Sequence, residues 1–334
     1  MVELNNNKLV FSFSDIHKNA VCQIDFQRTL RIPDDNREYP LPPGLGSFPL
    51  EHVEDHSGQL PSSWSTHGGV LLPMYQAEAM WLKFSSKSGY PFAVKVAAGK
   101  INAVTGEPWR NDLVKQPQDY VVVPRQEWLD GFCVQKGLVR QFVAMPLGQG
   151  YTAEEQISGT AEHGGLQIVV YPMKREHYLH LQMRARSLAT DNMPDIRSCS
   201  ASKSADTLGL APGGLMRQKI YEDYYGHNVW DLNLSNRCFI HIFNSKQWMV
   251  ATGKQAPGKP PTASDYTDCG LPWFDYYDDS QNALGGAKKL TGLDSVAAKS
   301  VKLGNKPYAA NHSIKQPTVI SISSGSNQIS DGEW

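Results

Sequence analysis

The sequence predicts a mainly β protein with some α-helix, built as a β-sandwich or as an α+β fold. The first observation is composition: 28 glycines and 21 prolines accompany a charged fraction of only 19%. Such a mixture favours strands joined by turns, because long helices need abundant Ala, Leu, Glu and Lys. The second is that apolar and polar residues alternate in several segments, which is the period of a β-strand. The third is that no run of about 18 apolar residues occurs, so no transmembrane helix is predicted.

Alternation is clearest near the N-terminus. There Cys22, Ile24 and Phe26 fall on one face of a predicted strand within residues 8–32. Alternating or short apolar segments predict further strands at residues 91–96, 119–123, 138–145, 166–170, 174–186, 238–243 and 317–323.

Two short helices are predicted from different signals. Apolar residues recur at helical spacing within residues 74–84, just after a proline, which indicates an amphipathic helix. Thr152 followed by Glu154 and Glu155 has the pattern of a helix start, with a hydroxyl cap and carboxylates in the first turn.

The predicted domain organisation has three parts. Residues 1–190 are read as a β-rich N-terminal part and residues 215–334 as an α+β C-terminal part. Between them, residues 187–214 turn polar and small, which is typical of a linker or a long surface loop. One continuous domain is the alternative.

Charge and cysteine usage exclude several classes of partner and cofactor. The formal net charge is −1, so no basic excess exists to neutralise a nucleic-acid duplex or to attract an anionic membrane. The five cysteines are far apart and never in a Cys-x-x-Cys pair, which favours reduced thiols in a soluble, cytoplasmic protein and predicts no cofactor. The chain also lacks the glycine-rich phosphate loop, the kinase motifs and the Gly-x-Ser-x-Gly elbow.

The most unusual segment is residues 265–279, where five carboxylates and five aromatic rings occur in fifteen residues. Three interpretations stay open: the rings fix a loop to the core, form a protein interface, or stack against a carbohydrate while the aspartates act on it. The candidate ligand or interface residues are Trp273, Phe274, Tyr276 and Tyr277, and the candidate catalytic residues are Asp275, Asp278 and Asp279.

A similar patch lies upstream at residues 221–231. Tyr224, Tyr225 and Trp230 are further candidates for an aromatic-lined interface or ligand groove. His227 is a candidate catalytic residue, because a histidine beside an aspartate of this segment can form an acid–base pair.

The candidate metal site is His52 with His56. The two residues are four apart and have carboxylates beside them, so a helical turn would place both imidazoles on one face. The alternative interpretation is an exposed polar turn.

Several runs of the sequence resemble a family of uncharacterised microbial proteins. The resemblance covers nearly the whole chain and is carried by residues 40–46, 164–168, 216–223, 237–241 and 270–277. It implies no activity and no catalytic residues. Some members are labelled integral membrane proteins, and the lack of an apolar spanning run in this sequence argues against that label here.

Taken together, the sequence predicts a non-enzymatic binding protein or a self-assembling structural protein, whose partner is a second copy or another protein. The missing catalytic motifs, the low charge and the aromatic patches favour this hypothesis. The alternatives are a hydrolase that acts on a carbohydrate-like substrate through the clustered aspartates, and a metal-binding protein that uses the two histidines.

Overall fold

The computed structural model describes residues 1–186, 208–277, 281–307, 314 and 319–323 of the chain. It is mainly β, with 38% strand and 20% helix, so the predicted fold class is confirmed. Within the described residues, no helix is both long enough and apolar enough to cross a membrane.

The strands are β1 (Val2–Asn5), β2 (Lys8–Ser12), β3 (Val21–Thr29), β4 (Glu38–Tyr39), β5 (Gly44–Ser47), β6 (Glu51–His52), β7 (Val70–Met74), β8 (Ala79–Ser86), β9 (Phe92–Ala98), β10 (Ile101–Asn102), β11 (Val121–Val123), β12 (Trp128–Leu129), β13 (Gly131–Gln135), β14 (Leu138–Pro146), β15 (Leu166–Pro172), β16 (Leu208–Arg217), β17 (Asn236–Asn244), β18 (Trp273–Tyr277) and β19 (Val319–Ser323). The helices are α1 (Ser62–His67), α2 (Ala153–Ser158), α3 (Arg175–Arg186), α4 (Ser245–Thr252), α5 (Ala263–Asp268), α6 (Lys288–Thr291) and α7 (Val296–Lys302).

Most strands belong to one large, mainly antiparallel sheet. One run of neighbours is β1, β2, β3, β8, β14 and β16, all antiparallel. A second run is β9, β15 and β17, followed by β7, which pairs with β17 in parallel. A bridge between Leu208 and Ile242 connects the two runs. Strands β18 and β19 form a separate parallel pair.

The register across β9, β15 and β17 places alternate residues of the three strands on two faces. On one face, Val96, Ile168 and Cys238 align and are buried in the main core. Because side chains alternate along a strand, the neighbouring positions point to the other face. There Lys95 aligns with Val169 and Arg237, and Arg237 lines the cleft described below.

Two secondary-structure predictions are wrong. The helix expected within residues 74–84 is strand β8, whose eight residues all pair with β3, so cross-strand pairing outweighs the helical spacing. The strand expected at residues 174–186 is largely helix α3. Its buried Tyr178 packs against Tyr90, with ring centroids 4.1 Å apart, and Leu181 and Gln182 are half-buried at the three- and four-residue spacing of a helix.

Other predicted elements are present. Strands occur in the expected N-terminal segment and at residues 166–170 and 238–243. The helix start at Thr152 is confirmed, because the Thr152 hydroxyl accepts a hydrogen bond from the Glu155 N–H and the Glu155 carboxylate accepts one from the Thr152 N–H.

The predicted linker is only partly covered by the structure. Residues 187–207 lie outside the described residues, whereas residues 208–214 belong to β16 and so are not a surface loop. Because β16 pairs with β14, and β17 with β7, strands from the predicted N-terminal and C-terminal parts share one sheet.

Candidate ligand-binding cleft

A cleft of about 630 Å³ lies beside the row that ends at Arg237, and we call it the Arg237 cleft. Strands, turns and a helix end from separate parts of the chain line it. The polar and aromatic lining residues include His52, His67, Lys100, Trp109, Asn111, Gln167, Arg237 and Phe239. A volume of this size is typical of a small-molecule site.

The lining of this cleft contains two positive side chains, Lys100 and Arg237, and two carboxylates, Glu3 and Glu54. The imidazoles of His52 and His67 also line it. Across the described ranges, neither Lys100 nor Arg237 has an acidic side chain at ion-pair distance. Both positive charges are therefore available to an anion in the cleft.

Flat rings form one wall of the cleft. The His67 ring stacks on Phe239, with centroids 4.6 Å apart and planes 19° apart. Behind Phe239, His241 stacks on Trp64 at 4.5 Å, and its Nε2 lies 3.0 Å from the Gly68 carbonyl oxygen. Burial lowers the pKa of His241 to about 4, so this ring is neutral near pH 7 and supports the stack without adding charge.

Trp109 and Gln167 line other parts of the cleft, and each is tied to its surroundings. The Trp109 Nε1 donates a hydrogen bond of 2.9 Å to the Asn111 side chain. The Gln167 side chain accepts from the Lys100 N–H at 2.6 Å and donates to the Gly164 carbonyl at 3.0 Å. These bonds fix the polar atoms of the cleft before any ligand arrives, which lowers the entropic cost of binding.

Sequence reasoning missed this cleft. The alternation that places Arg237 and Phe239 on one strand face is readable in the sequence. The strand neighbours are not readable, since β17 lies between β15 and β7, which are distant in the chain. The basic residues come together only through that pairing.

The structure places the predicted aromatic stretch largely in packed surroundings. Trp273 is fully buried, with its ring centroid 6.3 Å from that of Tyr39 and 6.2 Å from that of Tyr266. The backbone of Phe274 exchanges two hydrogen bonds with Leu41, at 2.7 and 3.0 Å. For Trp273 these contacts support the interpretation in which the ring fixes the segment to the core.

The candidate catalytic aspartates are only partly described. Asp275 lies on β18, and its Oδ2 is 3.3 Å from the Arg217 guanidinium. Asp278 and Asp279 lie outside the described residues, as do the side chains of Tyr276 and Tyr277. The carbohydrate-hydrolase hypothesis stays a prediction.

The upstream patch contains a hydrogen-bond network centred on Asp223. Its carboxylate accepts from the Tyr120 hydroxyl at 2.7 Å, from the buried Trp230 Nε1 at 2.9 Å and from the Tyr225 N–H at 2.9 Å. These bonds give Asp223 a structural role. The His227 Nε2 lies 3.1 Å from the Leu113 carbonyl oxygen.

His227 also borders a second cleft of about 690 Å³, which we call the Lys115 cleft after one of its lining residues. Its charges are mixed, with lysines and carboxylates both present. In one ion pair, the Lys289 Nζ lies 2.6 Å from the Glu107 carboxylate. One lysine of the Lys115 cleft thus has a carboxylate partner, whereas Lys100 and Arg237 of the Arg237 cleft have none among the described residues.

The two metal candidates lie on different elements. His52 is exposed on β6 and lines the Arg237 cleft, whereas His56 lies in a 3₁₀ segment, Glu54–Gln59, with its Nε2 3.7 Å from Glu51. Among the described residues, no group of three or more His, Cys, Asp or Glu side chains is arranged to bind a metal.

The fold and the cleft define a mainly β protein with an aromatic-lined cleft that contains Lys100 and Arg237. Neither a family model, nor a curated protein, nor a solved structure matches the chain. The resemblance noted from the sequence stays a prediction.

Proposed function

We propose that this chain is a non-enzymatic binding protein whose Arg237 cleft takes a small organic anion that carries a flat ring. The main support is that Lys100 and Arg237, which have no ion-pair partner among the described residues, line a cleft that also contains the rings of Phe239 and Trp109. An arginine guanidinium binds phosphate or carboxylate through two parallel hydrogen bonds, and aromatic rings stack on flat ligands.

Removal of either positive charge tests the proposal. Arg237→Ala and Lys100→Ala are each expected to weaken the binding of phenyl phosphate at least about tenfold, because a hydrogen bond to a charged group contributes roughly 1.5 to 3 kcal/mol. Isothermal titration calorimetry of the purified variants gives the Kd values.

A matched control is Lys136→Ala, an exposed lysine on the turn between β13 and β14, which should leave the Kd unchanged. Inorganic phosphate is expected to bind more weakly than phenyl phosphate, since it lacks the ring. The proposal is wrong if wild-type protein binds neither probe, or if Lys136→Ala and Arg237→Ala weaken binding equally.

Self-association through the aromatic surface is a second candidate function. Tyr224 is 73% exposed, and the Arg125 guanidinium lies 4.5 Å from its ring centroid. Arg125, Leu41 and Arg217 line one small depression, and Leu41 and Arg217 contact Phe274 and Asp275 of the C-terminal stretch. The two aromatic segments thus border one surface that is rich in Tyr and Arg, the residue types favoured at interface centres.

Light scattering coupled to size exclusion tests this second candidate over a wide concentration range. A dimer is expected, and Tyr224→Ala should raise its dissociation constant at least about tenfold, as for a central interface residue. Leu179→Ala, which changes an exposed apolar residue on α3, serves as the control. A strict monomer at every concentration would rule this candidate out.

A further inference from the structure

We infer that Lys95 is a positioning residue for the Arg237 cleft: its buried ammonium fixes residues 109–119, the segment that brings Trp109 to the cleft wall. This inference rests on the proposed function for its effect on affinity. The contacts that support it are independent of any ligand.

One ammonium group contacts three points along this segment. The Lys95 Nζ lies 2.5 Å from the Asp119 carboxylate, donates to the Asp112 carbonyl at 2.6 Å, and lies 5.6 Å from the centroid of the Trp109 ring. The Lys95 side chain is only 1% exposed, so water does not compete for these contacts.

Residues 109–119 contain no helix and no regular strand, so their position depends on isolated backbone hydrogen bonds, such as that from the Trp109 N–H to the Lys100 carbonyl, and on side-chain contacts. Asp119 extends the network from Lys95, since its carboxylate accepts from the Val114 N–H at 2.9 Å and its carbonyl accepts from the Asn102 side chain at 2.7 Å. Loss of the ammonium would remove the one contact that Asp119, Asp112 and Trp109 share.

The sheet register explains why this segment forms a wall of the cleft. Lys95 and Arg237 align with the same residue, Val169, from either side, so they lie two strands apart on one face. That separation is about 10 Å, because neighbouring strands are about 4.8 Å apart. Lys95 thus places the Trp109 ring on the β9 side of the cleft, while Arg237 supplies the charge on the β17 side.

The test compares Lys95→Met with Arg28→Met. Each variant removes the cation of a buried ion pair, and Arg28 lines neither cleft. The comparison therefore distinguishes a positioning role of Lys95 from a general loss of stability. The readouts are the Kd for phenyl phosphate and the hydrogen exchange of peptides that cover residues 109–119, under conditions where both variants are folded.

Lys95→Met is expected to weaken phenyl phosphate binding at least about tenfold and to speed exchange in residues 109–119, whereas Arg28→Met should do neither. If Lys95→Met does not fold, Asp119→Asn replaces it, with faster exchange in the same segment as the expected result. Equal affinity and equal exchange in the Lys95 and Arg28 variants would overturn the inference. If wild-type protein does not bind phenyl phosphate, the proposed function fails, and the exchange comparison alone decides the role of Lys95.

Discussion

Replacement of Arg28 by methionine is expected to lower the free energy of unfolding by about 3 to 5 kcal/mol, the usual cost of leaving one partner of a buried ion pair alone. The Arg28 side chain donates to Glu78 Oε1 from Nε at 2.8 Å and from a terminal nitrogen at 2.6 Å. The two side chains are 4% and 1% exposed. Arg28 also donates to the Gly258 carbonyl, so the variant releases the proline-rich segment around residue 258 as well.

The loss of stability in Arg28→Met should depend on pH, and the direction of that dependence follows from the protonation of Glu78. Burial raises the pKa of the Glu78 carboxyl, and the Arg28 charge opposes that rise. Without Arg28, native protein keeps a proton on Glu78 in a pH range where the unfolded chain, with a pKa of about 4.3, has lost it. The stability of the variant then falls as pH rises, so its loss of stability relative to wild type should be smaller at about pH 5 than at about pH 8.

Urea unfolding at both pH values measures these effects. The double variant Arg28→Met/Glu78→Gln removes both charges and is expected to recover part of the loss, because no unpaired ion remains buried. A single variant within about 1 kcal/mol of wild type at both pH values would contradict the expectation.

Trp273→Ala is expected to cost about 3 to 5 kcal/mol, as large aromatic truncations in cores do. The Trp273 side chain is fully buried between Tyr39 and Tyr266, and its Nε1 donates to the Thr267 hydroxyl at 3.4 Å. Strand β18, which contains Trp273, also exchanges hydrogen bonds with Leu41. The cavity left by the substitution would therefore lie where the C-terminal segment joins the rest of the molecule.

Chemical unfolding with Leu271→Ala as the matched control tests this expectation. Leu271 lies in the same stretch but is 45% exposed, so its truncation should change the free energy of unfolding by less than about 0.5 kcal/mol. If the two variants are equally stable, Trp273 does not fix the segment to the core, and the interface interpretation regains support.

Sequence patterns predicted elements well where one local signal sufficed. Alternation identified β3, a short apolar segment identified β17, and the cap pattern identified the start of α2. The predictions failed where two periods fitted the same residues. Residues 74–84 contain apolar residues at helical spacing, but the pairing of residues 79–86 with β3 made most of them a strand. Residues 175–186 alternate in polarity, yet form a helix.

The candidate site was predictable only in part, for the same reason. The aromatic residues were identified from composition. Composition did not predict that Trp273 is buried while Tyr224 is 73% exposed. The sequence shows which side chains are rings or charges. It does not show which of them another segment covers.

By itself, then, the sequence determined the mainly β character, the lack of an apolar spanning run and the strand at residues 238–243. These follow from composition and from periods of a few residues, which are local properties. Only the tertiary structure decided that Lys100, Trp109 and Arg237 meet around one cleft and that the buried Lys95 lies behind Trp109. Strand pairing between distant segments brings these residues together. The pairing is stabilised by burial and by hydrogen bonds between residues far apart in the sequence, which a short stretch of sequence does not show.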